Sequence, residues 1–123
     1  KPNFFIVGAP RCATTALYRY LCDHPNIFMP RVKEPHFFAE DISVGKPTKT
    51  LDWYMGLFEE SSEEHLAVGE ASVFYLYSSV AVRRIYEFNK EAKIIVILRT
   101  LFLRKYSRFQ FDNANRGHFY SGN

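Results

Sequence analysis

The feature of this sequence that most constrains its fold is an uninterrupted apolar run in its last third. Ile94 to Leu98 are five consecutive apolar residues, and the first four of them are β-branched. A run without polar alternation is typical of a strand that is buried on both faces of a parallel sheet. We therefore predict such a strand over Lys93–Leu98, in a protein whose helices cover both faces of the sheet.

Shorter segments predict the remaining elements. Apolar runs indicate strands at Phe4–Val7 and Leu66–Gly69 and a short extended piece at Ile27–Met29. Apolar residues at helical spacing predict helices from Thr14 to about Asp23, over Leu51–Phe58, over about 78–89 and over 101–111. Since strands and helices alternate, the sequence predicts an α/β three-layer fold with a mainly parallel sheet, in a single domain over 1–123.

The composition agrees with one folded, soluble domain. The 123 residues include 12 Phe, 8 Tyr and 1 Trp, which suffice for a core and are too many for a disordered chain. No apolar run approaches the roughly 20 residues of a membrane-spanning helix, so we expect no membrane segment. Cys12 and Cys22 are too few for a disulfide framework and form no metal-ligand pattern, so no metal is expected.

The net charge of +3 is unevenly distributed along the chain. Residues 1–82 carry 7 Lys and Arg against 10 Asp and Glu, whereas residues 83–123 carry 9 against 3. This asymmetry favours an anionic ligand held partly by the last third, although a solvated basic helix face would explain it equally well. No nucleic-acid recognition motif is present, so nucleic acid is not an expected partner.

The loop between the first predicted strand and helix, Gly8 to Thr15, has the composition of an anion-binding loop. Small residues let backbone N–H groups approach a ligand, the helix N-terminus adds partial positive charge, and Arg11 with two threonines adds donors. It is not a Walker A loop, because the second glycine and the lysine of GxxxxGK[ST] are missing. A plain strand-to-helix turn capped by Thr14 or Thr15 is the alternative.

Polar clusters follow three of the predicted strands, after Val7, after Gly69 and after Leu98. The carboxyl ends of parallel strands meet at one edge of a sheet, where α/β proteins bind their ligands. We therefore expect a single site that joins these clusters.

Four ordered motifs resemble those of sulfotransferases that use 3′-phosphoadenosine 5′-phosphosulfate (PAPS), nearest to bacterial and heparan-type carbohydrate enzymes. They are the loop at 10–15, Lys33–Phe38, Gly69–Tyr75, and the strand before Arg99. The resemblance covers about residues 3 to 107 and implies a P-loop NTPase-like fold. Because family members are usually longer, it also implies an incomplete fold, a fragment of a longer catalytic domain.

The resemblance implies that the chain transfers a sulfuryl group from PAPS to a hydroxyl or amine by in-line displacement, without a metal, releasing adenosine 3′,5′-bisphosphate. Arg99 and Ser107, eight positions apart, match the family's 3′-phosphate site. An arginine fork and a serine hydroxyl suit a phosphate chemically. The donor-binding residues implied are Pro10, Arg11, Cys12, Ala13, Thr14, Thr15, Arg99 and Ser107.

The same resemblance implies the catalytic groups. Glu34 matches the family's catalytic base, with His36 as the competing candidate, and Lys33 would assist the sulfonate oxygens. Arg11 stands where the family has a lysine that stabilises the leaving phosphate. Glu70 and Ser72 are predicted to contact the acceptor, a small molecule or a carbohydrate. Without the resemblance, Glu34 beside Lys33 would be interpreted as a solvated ion pair.

Two other functions remain open from the sequence. A nucleotide-binding module without catalysis is suggested by Arg11 and by Thr100-Leu101, which replaces the family's Asn-Pro. A P-loop kinase is less favoured, because GK[ST] and an obvious magnesium-binding Asp at a strand end are absent. We expect a cytoplasmic protein if it is bacterial and a Golgi-lumenal one if it is an animal carbohydrate enzyme, and we favour the cytoplasm.

Overall fold

A computed structural model describes residues 1–43 and 45–99 of the chain. Its strands are β1 (Phe4–Gly8), β2 (Ile27–Phe28), β3 (Ala67–Ala71) and β4 (Lys93–Val96). Its α-helices are α1 (Thr14–Cys22), α2 (Leu51–Gly56) and α3 (Ala81–Phe88). Short 3-10 turns lie at Glu40–Ile42 and Tyr75–Tyr77. The helix predicted over 101–111 and the predicted site residue Ser107 lie outside the described residues.

The four strands form one parallel sheet in the order β2-β3-β1-β4. β1 has a parallel neighbour on each side, so Phe4 lies opposite both Gly69 of β3 and Lys93 of β4. This arrangement confirms the prediction of a mainly parallel α/β sheet. It also brings the carboxyl ends of β3, β1 and β4 side by side.

Helices cover both faces of the sheet, as a three-layer fold requires. Successive side chains of a strand point to opposite faces. Phe5 and Val7 of β1 therefore join the core that contains Tyr54 of α2 and Ile85 of α3. Phe4 and Ile6 join the smaller core that packs against α1. Because β1 has a strand on each side and helices on both faces, all five of its residues are buried.

One close approach in the smaller core depends on a glycine. The ring of Phe4 lies across Gly69 of the neighbouring strand, and a Cβ added at Gly69 would meet Cζ of Phe4 at 2.0 Å. A side chain at position 69 would therefore displace the Phe4 ring from the space under α1.

The prediction that the last strand is buried on both faces is wrong for the described residues. β4 is an edge strand of the sheet with a described neighbour on one side only. Ile95 packs against the core under α1, whereas Ile94 and Val96, which alternate to the other face, are 41% and 44% exposed. The apolar run thus correctly indicated a parallel strand but not its position in the sheet.

Candidate active site

The loop after β1 ends in an open helix N-terminus. The residue before α1 is Ala13, whose backbone is left-handed with φ 65°, and no side chain caps the helix. The prediction that Thr14 or Thr15 caps α1 is therefore wrong. The first turn also contains no acidic residue. The first N–H groups of the helix are thus left without a side-chain cap, at the positive end of the helix dipole.

The loop is shaped by a second left-handed residue and by one buried side chain. Arg11 has φ 61°, and two left-handed residues with one residue between them curve the backbone, as turns do in anion-binding loops. Cys12 is buried between them, and its Sγ donates to the backbone oxygen of Pro10 at 3.5 Å. Arg11, Ala13 and Thr15 are exposed, whereas Thr14 is buried. The buried Cys12 anchors the loop and leaves exposed residues on either side of it.

The base of this loop touches the segment that follows β3. A Cβ added at Gly8 would lie 2.9 Å from Cβ of Leu76 and 3.0 Å from the backbone oxygen of Val73. Glycine therefore allows the ends of β1 and β3 to approach each other closely.

Backbone pairing between β1 and β4 continues beyond the strands and places Arg99 beside the same loop. Ala9 donates to the oxygen of Ile97, and Ile97 donates to the oxygen of Gly8, both at 2.9 Å. Two residues later, Nη1 of Arg99 donates to the backbone oxygen of Arg11 at 3.4 Å. Arg99 is exposed, so its guanidinium lies at the surface next to the loop.

On the other side of the loop, residues 33–38 lie along the end of β3. The amide of Glu34 donates to the backbone oxygen of Ala71 at 2.9 Å. The amide of His36 donates to Oγ of Ser72 at 3.1 Å. The amide of Phe38 donates to the hydroxyl of Tyr75 at 3.3 Å. Three alternate amides of this segment, which we call the carboxylate loop, are thus bonded to residues 71–75.

The three catalytic candidates of the carboxylate loop lie together. Nζ of Lys33 is 2.9 Å from Oε1 of Glu34, and Nε2 of His36 is 3.7 Å from Oε2 of the same carboxylate. Burial lowers the pKa of His36, against the attraction of the Glu34 carboxylate, which raises it. The ring is therefore neutral at pH 7, and its Nε2 is buried without a hydrogen-bond partner among the described residues. Glu34 thus has a cation on one side and a neutral imidazole on the other.

Two cavities border His36. One, of about 380 Å³, is lined by Glu34 and His36 and by the polar side chains of Glu40, Lys46 and Lys49. The other, of about 300 Å³, lies between His36, Phe74 and Tyr77. The larger cavity borders both Glu34 and His36, and the smaller one borders the His36 ring. A small polar molecule could therefore reach these two side chains.

Glu70 and Ser72 occupy places that the sequence did not predict. Glu70 lies inside β3 rather than after it, and both side chains are 0% exposed. This burial leaves no surface for the direct acceptor contact that was predicted. The Glu70 carboxylate instead accepts 2.5 Å hydrogen bonds from the hydroxyls of Tyr54 and Ser72. Burial raises the pKa of Glu70 to about 7, although hydrogen bonds from Ser72, Tyr54 and Tyr75 lower it.

Sequence reasoning missed Tyr54 and Tyr75 as partners of this carboxylate. Tyr54 falls within the predicted helix Leu51–Phe58 and Tyr75 ends the motif Gly69–Tyr75, but neither was predicted to bond a carboxylate. The available signal was chemical: a buried tyrosine needs a hydrogen-bond partner for its hydroxyl. The sequence does not show which residue would provide that partner, because Tyr54 and Glu70 lie on different elements.

Residues 1–43 and 45–99 contain no group of three His, Cys, Asp or Glu side chains arranged to hold a metal ion. Within the same ranges, none of the helices has both the length and the apolar character needed to cross a membrane.

Comparisons with known proteins identify the family and the fold of the chain. Residues 2–93 match the model of the Sulfotransferase family. The chain belongs to the sulfotransferase family. Its fold matches the crystal structure of a sulfotransferase from Alicyclobacillus acidocaldarius, with a TM-score of 0.82 and 37% identity, over 94% of this chain and 51% of that one.

Two curated sulfotransferases illustrate the similarity in sequence. The membrane-associated sulfotransferase kil1 of Dictyostelium discoideum is 33% identical over 90% of this chain and 23% of its own length. The human bifunctional heparan sulfate N-deacetylase/N-sulfotransferase 3 is 32% identical over 93% of this chain and 13% of its own length. The chain therefore spans less than a quarter of these two relatives and about half of the structural neighbour.

Proposed function

We propose that this sulfotransferase-family chain binds PAPS and transfers its sulfuryl group to a hydroxyl or amine of an acceptor. The observation that carries the proposal is the arrangement at the carboxyl edge of the sheet. The uncapped loop after β1 lies between Arg99, which donates to it, and the segment after β3, which contacts its base at Gly8. The carboxylate loop is bonded to that second segment.

The residues of the loop fit the phosphosulfate group of PAPS. The α1 N-terminus has no side-chain cap and no acidic residue in its first turn, and Arg11 and Thr15 are exposed beside it. An anion is stabilised at such a helix end by N–H groups and by the dipole. Residues 10–15 would hold the phosphosulfate, and Arg99 with Ser107 the 3′-phosphate. When bound, PAPS supplies a sulfuryl group attached to a phosphate leaving group, and no metal is needed.

Glu34 is the proposed base. Its carboxylate borders the larger cavity, where an acceptor hydroxyl or amine would lie. Removal of the acceptor proton by a positioned carboxylate makes the acceptor a better nucleophile. Nζ of Lys33 lies 2.9 Å from Oε1 of Glu34, and its ammonium group would assist the sulfonate oxygens. The neutral His36 ring borders both cavities and is the second candidate base, or it orients the acceptor.

A second candidate function retains the nucleotide but not the transfer. Arg11 occupies the place of the family's loop lysine, and its backbone is left-handed at φ 61°. Arginine keeps the positive charge but differs from lysine in size and shape. A chain that binds the nucleotide without transferring sulfate would result if Arg11 cannot follow the leaving phosphate.

Two measurements on the full chain separate these functions. Isothermal titration with adenosine 3′,5′-bisphosphate tests the nucleotide site, and a radiolabelled PAPS assay with a panel of small hydroxyl, amine and carbohydrate acceptors tests the transfer. Binding and transfer together support the proposal. Binding without transfer to any acceptor supports the second function, and folded protein that does not bind the nucleotide contradicts both.

A further inference from the structure

Glu70 is a buried carboxylate at the centre of a group of hydroxyls. Its Oε2 accepts from Tyr54 and its Oε1 from Ser72, each at 2.5 Å. Tyr54 stacks on Phe37 with 4.4 Å between ring centroids and 10° between planes. The carboxylate is thereby held by α2 on one side and by the residue after β3 on the other. It has no contact with solvent, so it does not meet the acceptor directly.

The carboxylate loop, to which this group is attached, has an unfavourable backbone. Glu34 and His36 have φ of 61° and 51°, in the left-handed region. For residues other than glycine, such a conformation is unfavourable, and it persists only where the surroundings hold it. Among the described residues, the partner of the His36 amide is the hydroxyl of Ser72, at 3.1 Å. The hydroxyl of Ser72 is therefore a direct restraint on the second left-handed residue.

We propose that Glu70 is a positioning residue, which acts through Ser72 to hold Glu34 and His36 in the conformation that sulfuryl transfer requires. This inference rests on the proposed function. A serine hydroxyl has one hydrogen and two lone pairs. Because the hydrogen points to Glu70, a lone pair of Ser72 is left facing the His36 amide. By accepting that hydrogen, the Glu70 carboxyl group fixes the direction in which the hydroxyl accepts from the His36 amide.

Stability alone does not account for a carboxylate at this position. A buried carboxylate is costly even when it is hydrogen-bonded, and apolar side chains of similar volume often stabilise such sites better. Strand β3 is otherwise built of small and apolar residues, Ala67, Val68, Gly69 and Ala71. Unlike an apolar residue at this position, Glu70 accepts hydrogen bonds from Tyr54 and Ser72 at the same time.

The test compares Glu70→Gln, Ser72→Ala and Ser72→Thr in the full chain. Backbone amide exchange by NMR measures the restraint directly. We expect the His36 amide to exchange about tenfold faster in Ser72→Ala, and faster by a smaller factor in Glu70→Gln, relative to β1 amides. Ser72→Thr keeps the hydroxyl and should restore protection. Ser61→Ala is the matched control, because it removes a serine hydroxyl that bonds the backbone away from the carboxylate loop, by donating to the backbone oxygen of Phe58.

The kinetic arm separates positioning from general stability. We expect kcat to fall about tenfold or more in Ser72→Ala and Glu70→Gln, with the acceptor KM and the dissociation constant of adenosine 3′,5′-bisphosphate changed by no more than about threefold. Ser72→Thr should recover most of kcat, and Ser61→Ala should match the parent. If Glu70→Gln does not fold, Tyr54→Phe removes one hydrogen bond to the carboxylate and takes its place.

The outcomes also separate this inference from the proposed function. Unchanged His36 exchange in folded Ser72→Ala, or equal acceleration of all β1 amides, overturns the positioning role of Glu70. A parent chain that binds no bisphosphate and transfers no sulfate overturns the proposed function. In that case the exchange measurement still decides whether Glu70 and Ser72 hold the loop, but their role in transfer is rejected.

Discussion

Nη1 of Arg99 donates a hydrogen bond to the backbone oxygen of Arg11 at 3.4 Å, across 88 positions of sequence. The contact exists because β4 pairs with β1 beyond the end of both strands, through Gly8, Ala9 and Ile97. It joins the cation proposed for the 3′-phosphate to the loop proposed for the phosphosulfate. The two ends of one nucleotide would thus be bound by two adjacent strands.

Replacing this arginine should weaken nucleotide binding. A charge-assisted hydrogen bond contributes about 1.5–3 kcal/mol, so Arg99→Ala should raise the dissociation constant of adenosine 3′,5′-bisphosphate by about 10- to 100-fold in isothermal titration. Arg83→Ala is the matched control, because Arg83 is an exposed arginine of α3 that pairs only loosely with Glu87, at 3.8 Å. Equal affinities of the two variants would contradict the assignment of Arg99.

Glu34→Gln should abolish transfer and preserve nucleotide binding. The amide keeps the shape of the side chain but cannot accept the acceptor proton, and loss of a general base typically lowers kcat by about 100-fold or more. The measurements are kcat with PAPS and the affinity for adenosine 3′,5′-bisphosphate. Glu60→Gln is the control, since Glu60 is exposed and pairs with Arg31. Unchanged turnover in Glu34→Gln would reject Glu34 as the base, and His36→Asn would then be the decisive variant.

The stability of the chain should fall as the pH rises from about 4.5 towards neutrality because of Glu70. Its folded pKa of about 7 lies above the ordinary value of 4.5. Between these values the folded state binds a proton that the unfolded state has lost. The free energy of unfolding therefore decreases from about pH 4.5 to about pH 7, by about 3–4 kcal/mol at 1.4 kcal/mol per pKa unit, and this contribution is constant above that range.

Urea unfolding at a series of pH values measures this effect, with Glu70→Gln as the reference that lacks the titrating group. His36 has the opposite slope just below pH 6.5, because its lowered pKa makes the folded state bind the proton less readily. The difference between the parent and Glu70→Gln removes that contribution. A difference that does not change with pH would show that the Glu70 carboxylate is ionised at its ordinary pKa.

Gly69→Ala should destabilise the smaller core. The added Cβ would meet three atoms of the Phe4 ring at 2.0 to 2.4 Å, and Phe4 is buried under α1. Overpacking of this kind costs about 1–3 kcal/mol, measured as the free energy of unfolding in urea. Gly56→Ala is the control, since a Cβ there meets only the Glu59 carboxylate, at an ordinary 3.6 Å. A Gly69→Ala chain as stable as the Gly56→Ala chain would contradict the close packing described for Phe4.

Local sequence patterns were enough to predict most of the strands and helices. The strand before the loop and helix α1 were predicted close to their observed bounds, whereas the strand predicted to end at Gly69 continues to Ala71. The alternation of strands and helices also led to the parallel sheet. The exposure of Ile94 and Val96 was not predictable in this way, because a run of apolar residues does not say how many neighbours a strand has.

The site was predicted in part for the same reason. The structure places Lys33, Glu34 and His36 in contact, as their closeness in sequence allows. It also places Arg99 beside the loop after β1, as expected because the carboxyl ends of parallel strands meet at one edge of the sheet. The hydrogen bond between Tyr54 and Glu70 could not be predicted, because it joins two elements whose relative placement is set by packing. The threonine cap of α1, which side-chain preferences favour, was likewise not found, because the residue before the helix is Ala13 in a left-handed conformation.

The central place of β1 has a consequence for how the chain folds. Phe4 must find Gly69 on one side and Lys93 on the other before the strand is complete. Pairings between residues so distant in sequence form slowly, because the entropic cost of closing a long loop comes before the stabilising contacts form. The loop after β1 therefore takes its final shape only when β4 has docked, so a nucleotide should act as a ligand of the finished fold and not as a template for its early steps.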